Sequence, residues 1–87
     1  MLYTKEGRAL TVDDDDLISR AGHVARLRDG YAFAPDGRYV GTVVGDRLIY
    51  RRSDSARRGS PYARRATAGH AYADRAPSGA YGDEPPI

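Results

Sequence analysis

Two histidines, a run of four carboxylates and an arginine-dominated basic set are the side chains through which this chain would have to do chemistry. His23 follows a glycine, in the place that Arg8 and Arg38 occupy after theirs, so it reads as a polar strand residue rather than a general base or metal ligand. His70 stands in an unrelated context. Asp13, Asp14, Asp15 and Asp16 carry enough charge to attract a divalent cation, but they lack the alternate spacing and central glycine of a calcium loop, and a solvated turn is the favoured reading. Cysteine is absent, which excludes disulfides, thiolate metal sites and cysteine nucleophiles. Each glycine separates one candidate strand from the next, with no helix N-terminus to complete a phosphate-binding loop. The chain is therefore read as not an enzyme, with no metal site and no cofactor.

The basic residues are unevenly placed. Residues 1–50 carry seven basic and eight acidic side chains, whereas residues 51–87 carry seven basic and four acidic ones. Arg51, Arg52, Arg57, Arg58, Arg64 and Arg65, interleaved with Tyr62 and Tyr72, form a basic-aromatic stripe of the kind that binds nucleic acid. The competing reading pairs these arginines with Asp13 to Asp16 and other acids. It is favoured by the near-neutral balance of the whole chain, +2. Nucleic-acid binding is thus the runner-up function, and net charge alone names no partner.

The elements that would position these groups follow from a repeat. Gly7, Gly22 and Gly37 are fifteen residues apart. Tyr3, Ile18, Phe33 and Leu48 keep the same register before each glycine or its expected place, and Leu10, Ala25 and Val40 keep it after. Fifteen residues are too few for a two-helix repeat but fit strand, tight turn, strand. The first set of turns is expected at Lys5 to Gly7, Arg20 to Gly22 and Pro35 to Gly37. Connecting turns are expected at Asp13 to Asp16, Arg28 to Gly30 and Gly45-Asp46, with a closing strand over 47–50. Alternation places Leu10 and Val12, Ala25 and Leu27, and Val40, Thr42 and Val44 on one face. The fold class is all-β: a small antiparallel meander of three 15-residue hairpins plus a closing strand, residues 1–51, followed by an irregular tail, residues 52–87.

The tail is rich in Ala, Arg, Gly, Ser, Pro and Tyr and nearly free of aliphatic residues. Tyr62, Tyr72, Tyr81 and Ile87 are the side chains able to pin it to the meander or to neighbouring subunits. Ser60-Pro61 reads as the opening of a short helix running to Gly69. The stretch 82–87 either docks as an extended strand on an arginine-bearing neighbour or is solvated. No run of 18 apolar residues exists, and the start lacks the basic-then-apolar order of a signal peptide, so the expected location is cytoplasmic, away from membranes.

A meander of about 50 residues buries little apolar area and would leave two bare edges, so something must cover it; identical subunits are the common solution. The run Asp36-Gly37-Arg38-Tyr39-Val40-Gly41-Thr42-Val43-Val44-Gly45-Asp46-Arg47-Leu48-Ile49-Tyr50-Arg51, with the similar run from Ala21 to Tyr31 before it, resembles the bacterial four-fold beta flower family over roughly residues 1–52. The resemblance implies a homotetramer whose short strands radiate about a fourfold axis. On such an axis Tyr3, Phe33, Tyr39 or Tyr50 would form rings lining a central channel. The leading functional expectation is therefore a non-enzymatic homotetramer that binds hydrophobic or aromatic small molecules there. A structural or adaptor tetramer presenting basic tails is the third reading.

Overall fold

In the computed structural model, which describes residues 1–70 and 72–87, seven short strands follow one another. They are β1 (Leu2–Thr4), β2 (Ala9–Asp13), β3 (Asp16–Ser19), β4 (Gly22–Arg28), β5 (Tyr31–Phe33), β6 (Tyr39–Val44) and β7 (Arg47–Ile49). Each pairs antiparallel with the next, and β7 pairs with β1 through Tyr3–Arg47 and Thr4–Leu48, closing a seven-stranded barrel. An odd number of strands running alternately up and down brings the first and last together pointing the same way, which is why the closing pair is parallel. The bare edges expected of an open meander are thereby removed: the two edge strands satisfy each other, with the Tyr3 N–H donating to Asp46 O at 2.9 Å.

Tight turns make so small a barrel possible. Asp29 and Gly30, with φ of 54° and 83°, form a two-residue loop of the type that matches strand twist, between the paired Arg28 and Tyr31. The interior holds one layer of side chains, with Leu2, Leu10, Leu17, Ala25, Ala32, Val40 and Leu48 each supplied by a different strand. Gly41 belongs to this layer because a Cβ there would lie 2.8 Å from Leu48 Cγ. The strict alternation expected along β6 fails at a bulge opposite Ala32 and Phe33. Thr42 consequently bonds Asp54 instead of joining the interior, and Val12 is exposed at the far end of β2.

The chain beyond β7 makes one 3₁₀ turn, Arg52–Asp54, and then runs extended. The helix expected from Ser60 to Gly69 does not form, and N–H groups along the segment donate to the barrel instead. Tyr62 N–H donates to Pro35 O, Arg65 N–H to His23 Nδ1 and His70 N–H to Ser19 O. The tail visits the three glycine turns in reverse order, with Gly59 N–H donating to Gly37 O at 2.8 Å and Arg75 N–H to Gly7 O at 2.8 Å. The contact is so close that a Cβ on Gly37 would stand 2.4 Å from Gly59 O, and one on Gly7 1.9 Å from Arg75 O. These positions need glycine twice over, for positive φ and for the passing backbone.

Of the four expected anchors, Tyr62 donates its hydroxyl to Phe33 O at 2.6 Å and Ile87 packs against the interior cluster. Tyr72 and Tyr81 instead remain 54% and 76% exposed, since backbone bonds rather than rings hold the tail there. The stretch 82–87 docks on an arginine of its own barrel: Glu84 accepts from Arg8 Nε at 2.7 Å, and Pro85 is fully buried. No helix among the described residues is long and apolar enough to cross a membrane.

Comparing two glycines isolates the belt contact. Gly30 and Gly37 both have positive φ, but a Cβ on Gly30 meets nothing within 4 Å. Gly30→Ala should cost about 1–2 kcal/mol from backbone strain alone, and Gly37→Ala should add about 1–3 kcal/mol from displacing the tail. Thermal melts should place Gly37→Ala at least roughly 5 °C below Gly30→Ala; equal midpoints would mean that the tail does not bear on the turn.

Candidate functional site

The tail is fastened across β3 and β4 by a half-buried polar cluster centred on Asp16. Its Oδ1 lies 3.1 Å from Arg26 Nε and 3.0 Å from His23 Nε2, and its Oδ2 lies 3.1 Å from Arg65 Nη1. Arg65 Nη2 holds Asp13 as well. The His23 side chain is fully buried, and its Nδ1 accepts the Arg65 N–H at 2.7 Å. That bond assigns the ring proton to Nε2, which donates to Ala25 O at 3.0 Å and stands equally close to Asp16 Oδ1. His23 is thus a satisfied structural residue that reads the tail backbone. Burial opposes ionisation of Asp16, but the hydrogen bonds and charges of Arg26 and Arg65 outweigh it and hold the carboxyl below its ordinary 3.8.

Tyr62 sits beside this cluster. Arg26 lies 4.2 Å over its ring centroid, and the ring stands 5.6 Å from that of His23. Burial pushes the phenol up to about 12 despite the opposing charge of Arg26. A second such stack places Arg57 4.1 Å over Tyr31, where the 3₁₀ turn is tied to β6 by a relay. Arg51 N–H donates to Tyr39 Oη, which bonds Thr42 Oγ1 at 2.6 Å, and that hydroxyl donates to Asp54.

Where the fastened tail crosses the barrel it leaves adjoining clefts. One, of about 340 Å³, lies between β4 and the tail, lined by Arg26, Arg28, Phe33 and Tyr62. The next, of about 520 Å³, shares Arg28, Phe33, Gly59 and Ser60 with it and adds Tyr31, Arg57 and Arg58. Arg58 also lines a third, of about 540 Å³, together with Arg38, Tyr39 and Tyr50. A fourth, of about 370 Å³, shares Arg38 and includes Arg64. Among the described residues, Arg38, Arg58 and Arg64 have no carboxylate within ion-pair distance.

The expected aromatic residues fall outside the interior layer. Phe33, Tyr39 and Tyr50 border the clefts, whereas Tyr3 lies apart beneath Arg75, 4.3 Å from its ring centroid. Tyr39 is only 2% exposed with its hydroxyl engaged, so Tyr50 is the ring that meets solvent in the third cleft. Of the six expected arginines, Arg57, Arg58 and Arg64 reach the clefts. Arg65 is taken by Asp13 and Asp16, as the pairing alternative expected. Arg51 bonds Tyr81 O, and Arg52 lies beside Tyr81 and Asp83 in a separate recess. Arg26, Arg28 and Arg38 were missed, although Arg26 and Arg28 stand two apart on one strand and so share a face. Comparison with protein-family models, with curated proteins and with solved structures finds no match to this chain.

Two titrations check the cluster. A carboxyl lowered in the fold stabilises it above the unfolded value and loses that contribution as pH falls through the folded value. Asp16→Asn should therefore lower the thermal midpoint at neutral pH and flatten its fall below about pH 4; an unchanged pH profile would remove Asp16 from the fastening. Tyr62, raised in the fold, stabilises below pH 10 and loses that contribution as pH rises from 10 toward about 12. Absorbance near 295 nm should show one late-ionising phenol that Tyr62→Phe removes.

Proposed function

We propose that the chain is a binding protein whose ligand is a flexible polyanion carrying aromatic groups, single-stranded nucleic acid, taken along the linked clefts. The carrying observation is that Arg38, Arg58 and Arg64 line these clefts with no carboxylate partner among the described residues. A guanidinium free of a carboxylate beside a half-exposed tyrosine offers a phosphate its charge and a base a stacking surface. The structural arginines do not compete for this role: Arg65 and Arg26 are committed to Asp16. Asp15, Asp29, Asp36 and Glu84 on the linings of these clefts disfavour continuous backbone contact, so the reading calls for a few phosphates rather than a long track.

A second reading rests on the cleft of about 540 Å³ that brings Tyr50 beside Arg38 and Arg58. A small aromatic acid fits that chemistry better than a neutral hydrophobe, because two cations line the cleft against one carboxylate, Glu84, which is already paired with Arg8. The fourfold channel of the beta-flower resemblance is a separate proposal. It rests on that resemblance alone, since barrel closure removes the open edges that would have called for neighbours.

Anisotropy of a labelled oligothymidylate at increasing salt tests the leading reading. Three phosphate contacts predict a log-affinity against log-salt slope of roughly −2. Arg58→Ala and Arg64→Ala should each reduce the magnitude of the slope by about 0.7 and weaken binding several-fold, whereas Arg52→Ala should not. Binding of the nucleotide monomer with no gain from chain length would transfer the site to the small aromatic acid, and no binding at low salt would end both.

A further inference from the structure

We propose that the glycine-turn end of the barrel is a socket for the segment Asp83–Ile87 of a second copy of this chain, so that copies join by exchanging that segment. The socket is a built recognition site. Thr4 Oγ1, fully buried, donates to Glu84 Oε2 at 2.8 Å, and Arg8 Nε donates to the same oxygen at 2.7 Å. The Glu6 N–H donates to Oε1 at 2.9 Å, so both carboxylate oxygens are held. Arg8 Nη2 donates to Pro85 O, the Pro85 side chain is fully buried, and Ile87 packs on the interior cluster. Asp83 adds a two-way backbone exchange with Tyr50, at 2.9 and 2.7 Å, in the manner of an added strand. Every one of these contacts is made by groups of the segment itself and is independent of which barrel the segment is tethered to.

The connector supports exchange. Ser78 is bonded on both sides to Lys5, and the chain next meets the barrel at Gly82, where a Cβ would stand 2.3 Å from Ile49 Cγ2, and bonds it at Asp83. Between them Gly79 has open space where a Cβ would point and Tyr81 is 76% exposed. Among the described residues, the one side-chain bond from the barrel side to the connector is Arg51 Nε to Tyr81 O, at 3.3 Å. Gly82, at φ of 130°, is a pivot that other residues would strain to adopt. A foreign peptide would have to displace a tethered competitor at an effective concentration in the millimolar range. A second copy faces no such deficit, because exchange replaces each contact with its identical counterpart and changes only connector geometry.

Deleting Gly79 and Ala80 shortens the reach by about 7 Å and should leave the segment unable to return to its own barrel. Native mass spectrometry of unlabelled and ¹⁵N-labelled full chains, mixed without nucleic acid, should then show mixed dimers. The dimer fraction should rise at least roughly tenfold over the parent chain. Glu84→Ala in the shortened chain should return it to monomer, while Arg58→Ala, which tests the nucleic-acid reading, should leave the dimer intact. A folded shortened chain that stays monomeric overturns the proposal, as do dimers or tetramers indifferent to Glu84→Ala. Should the shortened chain fail to fold, the parent chain at high concentration decides: mixed dimers weakened by Thr4→Val support exchange, and their absence overturns it.

Discussion

Because the turns at Gly7, Gly22 and Gly37 present no Cβ, the tail backbone can lie in the space a side chain would fill, and most of the remaining structure depends on that contact. The barrel interior accepts a single layer of side chains, two of them only alanine, so little of the chain's apolar surface is removed from water inside it. Phe33, Tyr39 and Ile49 lie outside this layer and are nevertheless buried. A Cβ on Gly59 would stand 2.8 Å from Phe33 Cγ, and one on Gly82 2.3 Å from Ile49 Cγ2, which shows how closely the tail backbone covers these side chains. The tail supplies few apolar side chains of its own. It contributes coverage, turning an exposed outer face into a second buried layer at the cost of ordering an extended chain.

That arrangement places openings beside the fastenings. Where the tail must be held, its N–H groups donate to turn carbonyls or to His23, and the carboxylates of Asp16, Asp74 and Glu84 tie arginines and backbone amides together across the seam. Asp74 illustrates the pattern: the backbone N–H of Ala9 and the charge of Arg20 hold its carboxyl below the ordinary value. The clefts open beside these fastenings, and Gly59 and Tyr62, whose N–H groups bond the barrel, line them. Their arginines sit there because the same segment that carries Arg57, Arg58 and Arg64 also carries the contacts at Gly59, Tyr62 and Arg65.

Much of the barrel was legible in the primary structure because its determinants are local. A positive-φ glycine or an Asp-Gly pair fixes a turn within a few residues, and the strand between two turns has little choice of length. Closure was not legible, since joining Tyr3 to Arg47 depends on accumulated twist and on strand number rather than on any residue type. The bulge opposite Phe33, which sends Thr42 outward, likewise leaves no compositional mark. The tail misled for a different reason. Ser-Pro followed by alanines and arginines has helical propensity, but the glycine turns offer its N–H groups fixed acceptors. Gly59 and Gly69 were the available signal. Gly59 lies against Gly37, and Gly69, whose Cβ would stand 1.8 Å from Arg20 O, lies against the turn before Gly22. At the candidate site, the stripe of six arginines was readable as a stripe, but the division between structural and unpartnered members required knowing which carboxylates the barrel brings near.

That division bears on function through desolvation. Arg65 shares its guanidinium between Asp13 and Asp16, so a phosphate approaching it would have to compete with two carboxylates already in place. Arg58 turns its guanidinium back onto the carbonyls of Ser55 and Arg57, which accept hydrogen bonds at 2.9 Å without cancelling its charge. Such bonds orient the cation while leaving its field directed into the clefts it borders, and an anion arriving there displaces water rather than a carboxylate. A chain of nearly balanced net charge can therefore hold a locally cationic surface, provided its acids are spent on fastening the tail. The acids that hold this fold together and the arginines that remain free beside Tyr31, Tyr50 and Tyr62 are consequences of the same path of the chain around the barrel.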